Sequence, residues 1–163
     1  MITRTKLVAL ALSAIGATAA TMLPVAANAA PVVTANASAP AAVAAAAADA
    51  GCTGTYQGTM DDYNAGGTLV ADTGYYWNGT SMCVVVVKQN NLYGQSTRID
   101  ILANRHNLTT GAWTYPADSE TVLYYAGPFY VNGVNACINF ETDLWNANGV
   151  ETVQDYNGSA FCH

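Results

Sequence analysis

Basic side chains are scarce in this sequence: five Lys and Arg stand against eleven Asp and Glu in 163 residues. A surface of that sign repels phosphate backbones and anionic lipid, so neither nucleic acid nor a membrane surface is an expected partner. Histidine is equally thin. Only His106 and His163 offer an imidazole as a general base, and neither sits in a metal-binding spacing such as His-Glu-x-x-His. There is no Gly-x-Ser-x-Gly elbow and no internal repeat.

The chain begins with a leader pattern. Arg4 and Lys6 form a positive start, residues 7–20 an apolar stretch, and Ala27-Asn28-Ala29 a small-x-small cleavage motif after Pro24. Residues 1–29 are therefore expected to be a secretory signal peptide, cut before Ala30. The apolar stretch is too short to span a bilayer, and Asn28, Pro31, Asn36, Ser38 and Pro40 break up the Ala-rich residues beyond it. Cleavage removes two of the five basic residues and leaves three against eleven acidic ones, a net charge of −8. Residues 30–50 are rich in Ala and Pro, with no amphipathic face and too little length to hold a helix alone. They read as a spacer or propeptide.

An exported chain meets oxidising conditions, so the four cysteines, Cys52, Cys83, Cys137 and Cys162, are expected to pair as two disulfides. They fall within residues 51–163, which contain no convincing helix. That part shows short strand-like runs at 53–59, 68–77, 82–89, 96–103, 121–125, 129–131, 134–140 and 150–156, punctuated by Gly and Asn. Such spacing predicts an all-β fold, a small antiparallel β-sandwich or barrel of about seven or eight strands.

Several runs carry their own geometry. Asn132-Gly133 is a two-residue hairpin signal and predicts that Val131 faces Val134. Residues 83–87 are apolar at every position, which suits a strand covered on both sides. In Arg98-Ile99-Asp100-Ile101 the alternation turns Ile99 and Ile101 inward and Arg98 and Asp100 toward water. A second turn signal, Asn148-Gly149, sets Ala147 opposite Val150 and Trp145 opposite Thr152. Extending that ladder brings Cys137 opposite Ala160, one bulge away from Cys162. Of the three possible connectivities this favours Cys137 with Cys162 and Cys52 with Cys83.

The segment Tyr125-Ala126-Gly127-Pro128-Phe129-Tyr130-Val131, then Gly133 and Cys137-Ile138, resembles the signature of the actinobacterial spore-associated protein A family. The run Cys83-Val84-Val85-Val86 behind Asn78-Gly79, with Cys52 and Cys162 near the ends of the domain, is similar to the four-cysteine layout of that family. Phe140 stands where the family often has Trp, and the chain ends Cys162-His163 instead of Cys-Gly. The resemblance implies secretion and association with a cell or spore surface. It brings no catalytic residues.

Searched directly for chemistry, the chain offers little. A Ser-His-acid set would have to be assembled in space from His106, Ser119 and Glu120, and His106 between Arg105 and Asn107 reads as a solvated loop residue. The run Asn146-Ala147-Asn148-Gly149 with Asp155 has Leu144 where a calcium loop needs its first ligand. Asp61-Asp62-Tyr63-Asn64 reads as a turn before it reads as a cation site. No metal and no cofactor are expected. Aromatics remain, with ten Tyr and three Trp. Tyr75 and Trp77 share one strand face, with Tyr76 on the other, and Trp113 and Tyr115 share another. Tyr75, Trp77, Trp113 and Tyr115 are candidate sugar-stacking residues unless they serve as packing. The expected role is that of a secreted, non-catalytic surface or spore-associated structural protein. A cell-wall carbohydrate-binding module and a secreted protease inhibitor are the alternatives. The expected partner is a wall or spore-surface polymer, or a second copy of the chain.

Overall fold

Two antiparallel sheets face each other in the computed structural model, which describes residues 39–158 and 160–163. The expected signal peptide lies outside the described residues. One sheet runs in the order β1 (Thr55–Tyr63), β2 (Leu69–Trp77), β3 (Ser81–Lys88) and β7 (Tyr125–Asn132). The other is centred on β4 (Thr97–Asn107) and β8 (Ala136–Trp145). In that sheet β9 (Glu151–Tyr156) and β10 (Phe161–Cys162) pair with β8, while β5 (Trp113–Thr114) and β6 (Ala117–Val122) pair with β4. This is the expected all-β sandwich, with ten strands among the described residues instead of seven or eight, because the two-residue strands β5 and β10 are too short to show as apolar runs. Met82, Val84 and Val86 from one sheet meet Ile99, Ile101, Ile138, Phe140 and Leu144 from the other to form the core. β8 alternates buried and half-buried along its whole length, as a strand with one core face must.

The tract expected to be a spacer ends in a helix, α1 (Ala41–Ala50). Its stability comes from docking and not from periodicity. Val43, Ala46 and Ala47 are buried against Tyr76, Cys83, Val85, Val87 and Tyr125 on the outer face of the four-stranded sheet. Gly51 ends the helix in the left-handed conformation, φ 79°, and its N–H reaches the Ala47 and Ala48 carbonyls. The Tyr125 hydroxyl donates to the Asp49 carboxylate, and the Tyr130 hydroxyl donates to the Gly51 carbonyl at 2.7 Å. The helix is what covers the second face of β3, whose residues 82–88 are all fully buried.

The Asn132-Gly133 hairpin does not form. β7 and β8 belong to different sheets, and residues 133–135 carry the chain across between them. Phe129 and Val131 are buried in one layer and Ile138 and Phe140 in the other, so burial on both sides outweighs the local turn preference. Gly133 lies against Trp77, where a Cβ would stand 2.6 Å from the indole.

The chain also turns at Asn148-Gly149, but the loop is one residue longer than expected, residues 147–149, and Asn146 instead of Ala147 stands opposite Val150. Asn146 Oδ1 accepts from the N–H of Asn148 at 2.9 Å and of Val150 at 3.1 Å, and β8 pairs with β9 from Glu141↔Tyr156 to Leu144↔Val153. A bulge then sets Trp145 opposite Glu151 instead of Thr152. Beyond β9 the chain slips by two positions at Asn157, whose side chain accepts from Phe140 N–H, and Cys162 lands directly opposite Cys137. The disulfides are Cys52–Cys83 and Cys137–Cys162, and no cysteine is free among the described residues.

Lys88, at the end of β3, is fully buried and ties the two sheets together. Its ammonium donates to Thr97 Oγ1 at 2.6 Å, to the Gln95 and Thr97 carbonyls at 2.9 and 3.1 Å, and to the Val122 carbonyl at 2.5 Å. Burial pushes its pKa down to about 8.

Candidate binding face

Alternation along β4 and β8 gives the six-stranded sheet an outer face that no described element covers. It carries Arg98, Asp100, Leu102, Asn104 and His106 from β4, beside Trp145, Asp143, Glu141, Asn139 and Cys137 from β8. At one end the Arg98 guanidinium lies 4.6 Å from the centre of the Trp145 ring and is held there by Asp100. Asp100 also accepts from Ser119 Oγ at 2.6 Å. Beside this pair, Thr121, Asn146 and Gly149 help line a cleft of 320 Å³.

At the other end Trp113 of β5 pairs with His106 of β4, and the two rings stack at 4.6 Å with 18° between their planes. His106 is thus a strand residue covered by an indole, not the solvated loop residue expected. Its ladder partner on the other side is Cys137, which brings the Cys137–Cys162 disulfide to this end of the face. Trp113 is 54% exposed and Tyr115 69% exposed.

The middle of the face is acidic. Burial, then the charges of Glu141, Glu151 and Asp100, push the Asp143 carboxyl up to about 6. Burial would raise Asp100 as well, but hydrogen bonds from Arg98 and Ser119 and the Arg98 charge bring it below its ordinary value.

The other aromatic pair has a different place. Tyr75 is only 2% exposed and packs in the core, 5.4 Å from the Phe140 ring and 5.0 Å from the Phe161 ring. Its shared face with Trp77 is the inner one, because the inward Met82, Val84 and Val86 of β3 lie beside it. Trp77 is half-buried at the edge of that core and stacks on His163, 3.8 Å between ring centres. Tyr75 is therefore not a surface stacking residue.

His106, Ser119 and Glu120 are not brought together. Ser119 pairs with Asp100, six residues from His106 along β4, which is roughly 20 Å in an extended strand. Asp61, Asp62 and Tyr63 belong to β1 and not to a turn. Asn64 is the turn former, its Oδ1 accepting from Gly66 N–H at 2.9 Å and Thr68 N–H at 3.0 Å. Asp155 is a strand residue on β9. Among the described residues no group of three or more His, Cys, Asp and Glu is placed to hold a metal ion.

Sequence reasoning missed Trp145 with Arg98, and the stack of Trp113 on His106. Outward alternation of Arg98 was legible, but which side chain meets it depends on cross-strand register. No family model, no curated protein and no solved structure matches the chain.

Proposed function

We propose that the chain is an exported, non-catalytic, surface-associated protein that holds an extracellular polymer on the outer face of its six-stranded sheet. The observation that carries this reading is the pair of pre-positioned indoles on the uncovered face, Trp145 fixed under Arg98 and Trp113 fixed over His106. Flat rings stack on the apolar faces of sugars, and Asn104, Asn139, Glu141 and Gln154 offer hydrogen bonds between them. Wall or spore-coat glycan fits that chemistry. The signal-peptide pattern, the two disulfides and the resemblance to the spore-associated protein A family support a place outside the cell.

The test is retention of purified protein on washed cell walls and spores. Trp145→Ala and the double variant Trp113→Ala/Tyr115→Ala should each weaken retention several-fold, since a stacking ring contributes about 1 kcal/mol or more. Tyr75→Phe, which keeps the core ring, should bind like wild type. Unchanged retention of both folded Trp variants removes the platform. Turnover in a general hydrolase screen that vanishes with His106→Ala overturns the non-catalytic reading.

A further inference from the structure

Asp62 is the one fully buried side chain of β1, the edge strand of the four-stranded sheet. It lies where β1 slips its register on β2, between Asp62↔Ala71 and Tyr63↔Leu69, and a bulge of this kind re-aims a side chain. Its Oδ2 accepts from Thr73 Oγ1 at 2.8 Å. Its Oδ1 is sealed from solvent and has no hydrogen-bond partner. Thr73 Oγ1 is in turn 3.3 Å from Thr142 Oγ1 of β8, so the carboxyl ends a polar chain that crosses between the sheets.

The charged groups around this carboxyl all have one sign. Its own strand supplies Asp61, β2 supplies Asp72, and β9, which packs on β1 at the side of the sandwich, supplies Asp155. The neutral groups facing it are Thr73 and Tyr75 of β2 and Thr142 of β8. The basic residues of the described chain are engaged elsewhere: Lys88 with Gln95, Thr97 and Val122, Arg98 with Asp100, and Arg105 with the Asn132 and Val134 carbonyls. An Asp62 carboxylate would be buried with one hydrogen bond and no counter-ion, which is far costlier than the neutral acid.

We propose that the β1–β9 side of the sandwich is a proton-governed seam, closed on the neutral carboxylic acid of Asp62 and loosened when that acid loses its proton. Burial first, then Asp155, Asp72 and Asp61, raise the Asp62 pKa well above the ordinary value against the hydrogen bond from Thr73. A group whose folded pKa is raised stabilises the closed form fully below its unfolded pKa of about 4, and that contribution is lost as pH rises toward the folded pKa. Closure is therefore favoured in acid. The seam loosens toward neutral pH, freeing the β1 edge while the Cys52–Cys83 disulfide keeps the start of the strand tethered.

The experiment is amide hydrogen exchange of the whole exported chain, corrected for intrinsic rates, between about pH 4 and pH 7. The opening constant of β1 amides around Asp62 should rise at least tenfold over that range, by up to about tenfold per pH unit, while β3 amides hold constant. Asp62→Asn should remove the dependence, and Asp155→Asn should shift it to lower pH. Should Asp62→Asn fail to fold, the carboxyl carbon of Asp62 in wild type and in Asp155→Asn is titrated by NMR instead. A titration near the ordinary aspartate value, β1 protection independent of pH, or wild-type dependence retained in Asp62→Asn would overturn the proposal.

Discussion

The side chain of Val43 occupies the space that a Cβ on Gly74 would need: a methyl there would lie 2.2 Å from Val43 Cγ1. Helix α1 is thus keyed to β2 by one knob over one missing side chain. Gly74→Ala should destabilise the protein by about 2 kcal/mol through overpacking, read by denaturant unfolding. Val43→Ala/Gly74→Ala should cost less than the two single variants added together, because the shorter side chain at 43 removes the clash and the added methyl at 74 fills part of the cavity.

Val85 and Arg98 give a contrast of buried against exposed. Val85 is fully buried beneath α1, and Val85→Asp places an unpaired charge there, so no cooperative unfolding transition should remain. Arg98→Ala removes only an exposed ion pair and a contact with Trp145, so the unfolding transition should stay close to that of wild type. Similar stability of the two variants in a thermal melt would show the two-sided cover of β3 to be wrong.

Reduction should lower the melting temperature in two separable steps. The Cys52–Cys83 and Cys137–Cys162 bonds span sequence separations of 31 and 25 residues, which by chain entropy contribute roughly 3 kcal/mol each. Thiol titration of the native protein should find none free. Cys52→Ser/Cys83→Ser should also loosen α1, seen as lost helical signal below the main transition, whereas Cys137→Ser/Cys162→Ser should leave it.

Mild acid should stabilise the fold through Asp143. Its folded pKa of about 6 lies above that of an exposed aspartate, so the folded state holds the proton more tightly. This contribution is full below about pH 4 and is lost as pH rises to about 6. Asp143→Asn should flatten that part of the profile of melting temperature against pH and raise the melting temperature at neutral pH. Asp100, held low by Arg98 and Ser119, works in the opposite sense and loses its contribution on acidification.

Most strand positions, the disulfide pairing and the two-sided burial of residues 83–87 were legible, because alternation and turn residues act locally; the run expected at 121–125 instead straddles the break between β6 and β7, and β5 was not foreseen. Three other features were not legible. The run of small side chains in α1 has no moment to detect, and only the unexplained second apolar face of β3 pointed to a cover. The sequence placed Tyr75 and Trp77 on one face of β2 but did not say which face turned inward, since that depends on the opposite sheet. Asn132-Gly133 carries a strong local turn preference, yet the chain there has to change layers. On the candidate face, stacking of Trp113 on His106 and of Arg98 on Trp145 is set by register between strands distant in sequence, which no window of residues reveals.

The docked helix sets a limit on how far the N-terminus can be trimmed. Cleavage at the expected site before Ala30 would leave α1 intact. A protease cutting past Ala41 would strip the cover from Tyr76, Val85 and Val87, and with Cys52 still bonded to Cys83 the product would remain one disulfide-linked domain with a bare apolar face. Such a fragment is expected to be sticky, so the boundary between a harmless and a damaging cut falls within about a dozen residues of the expected leader cleavage site.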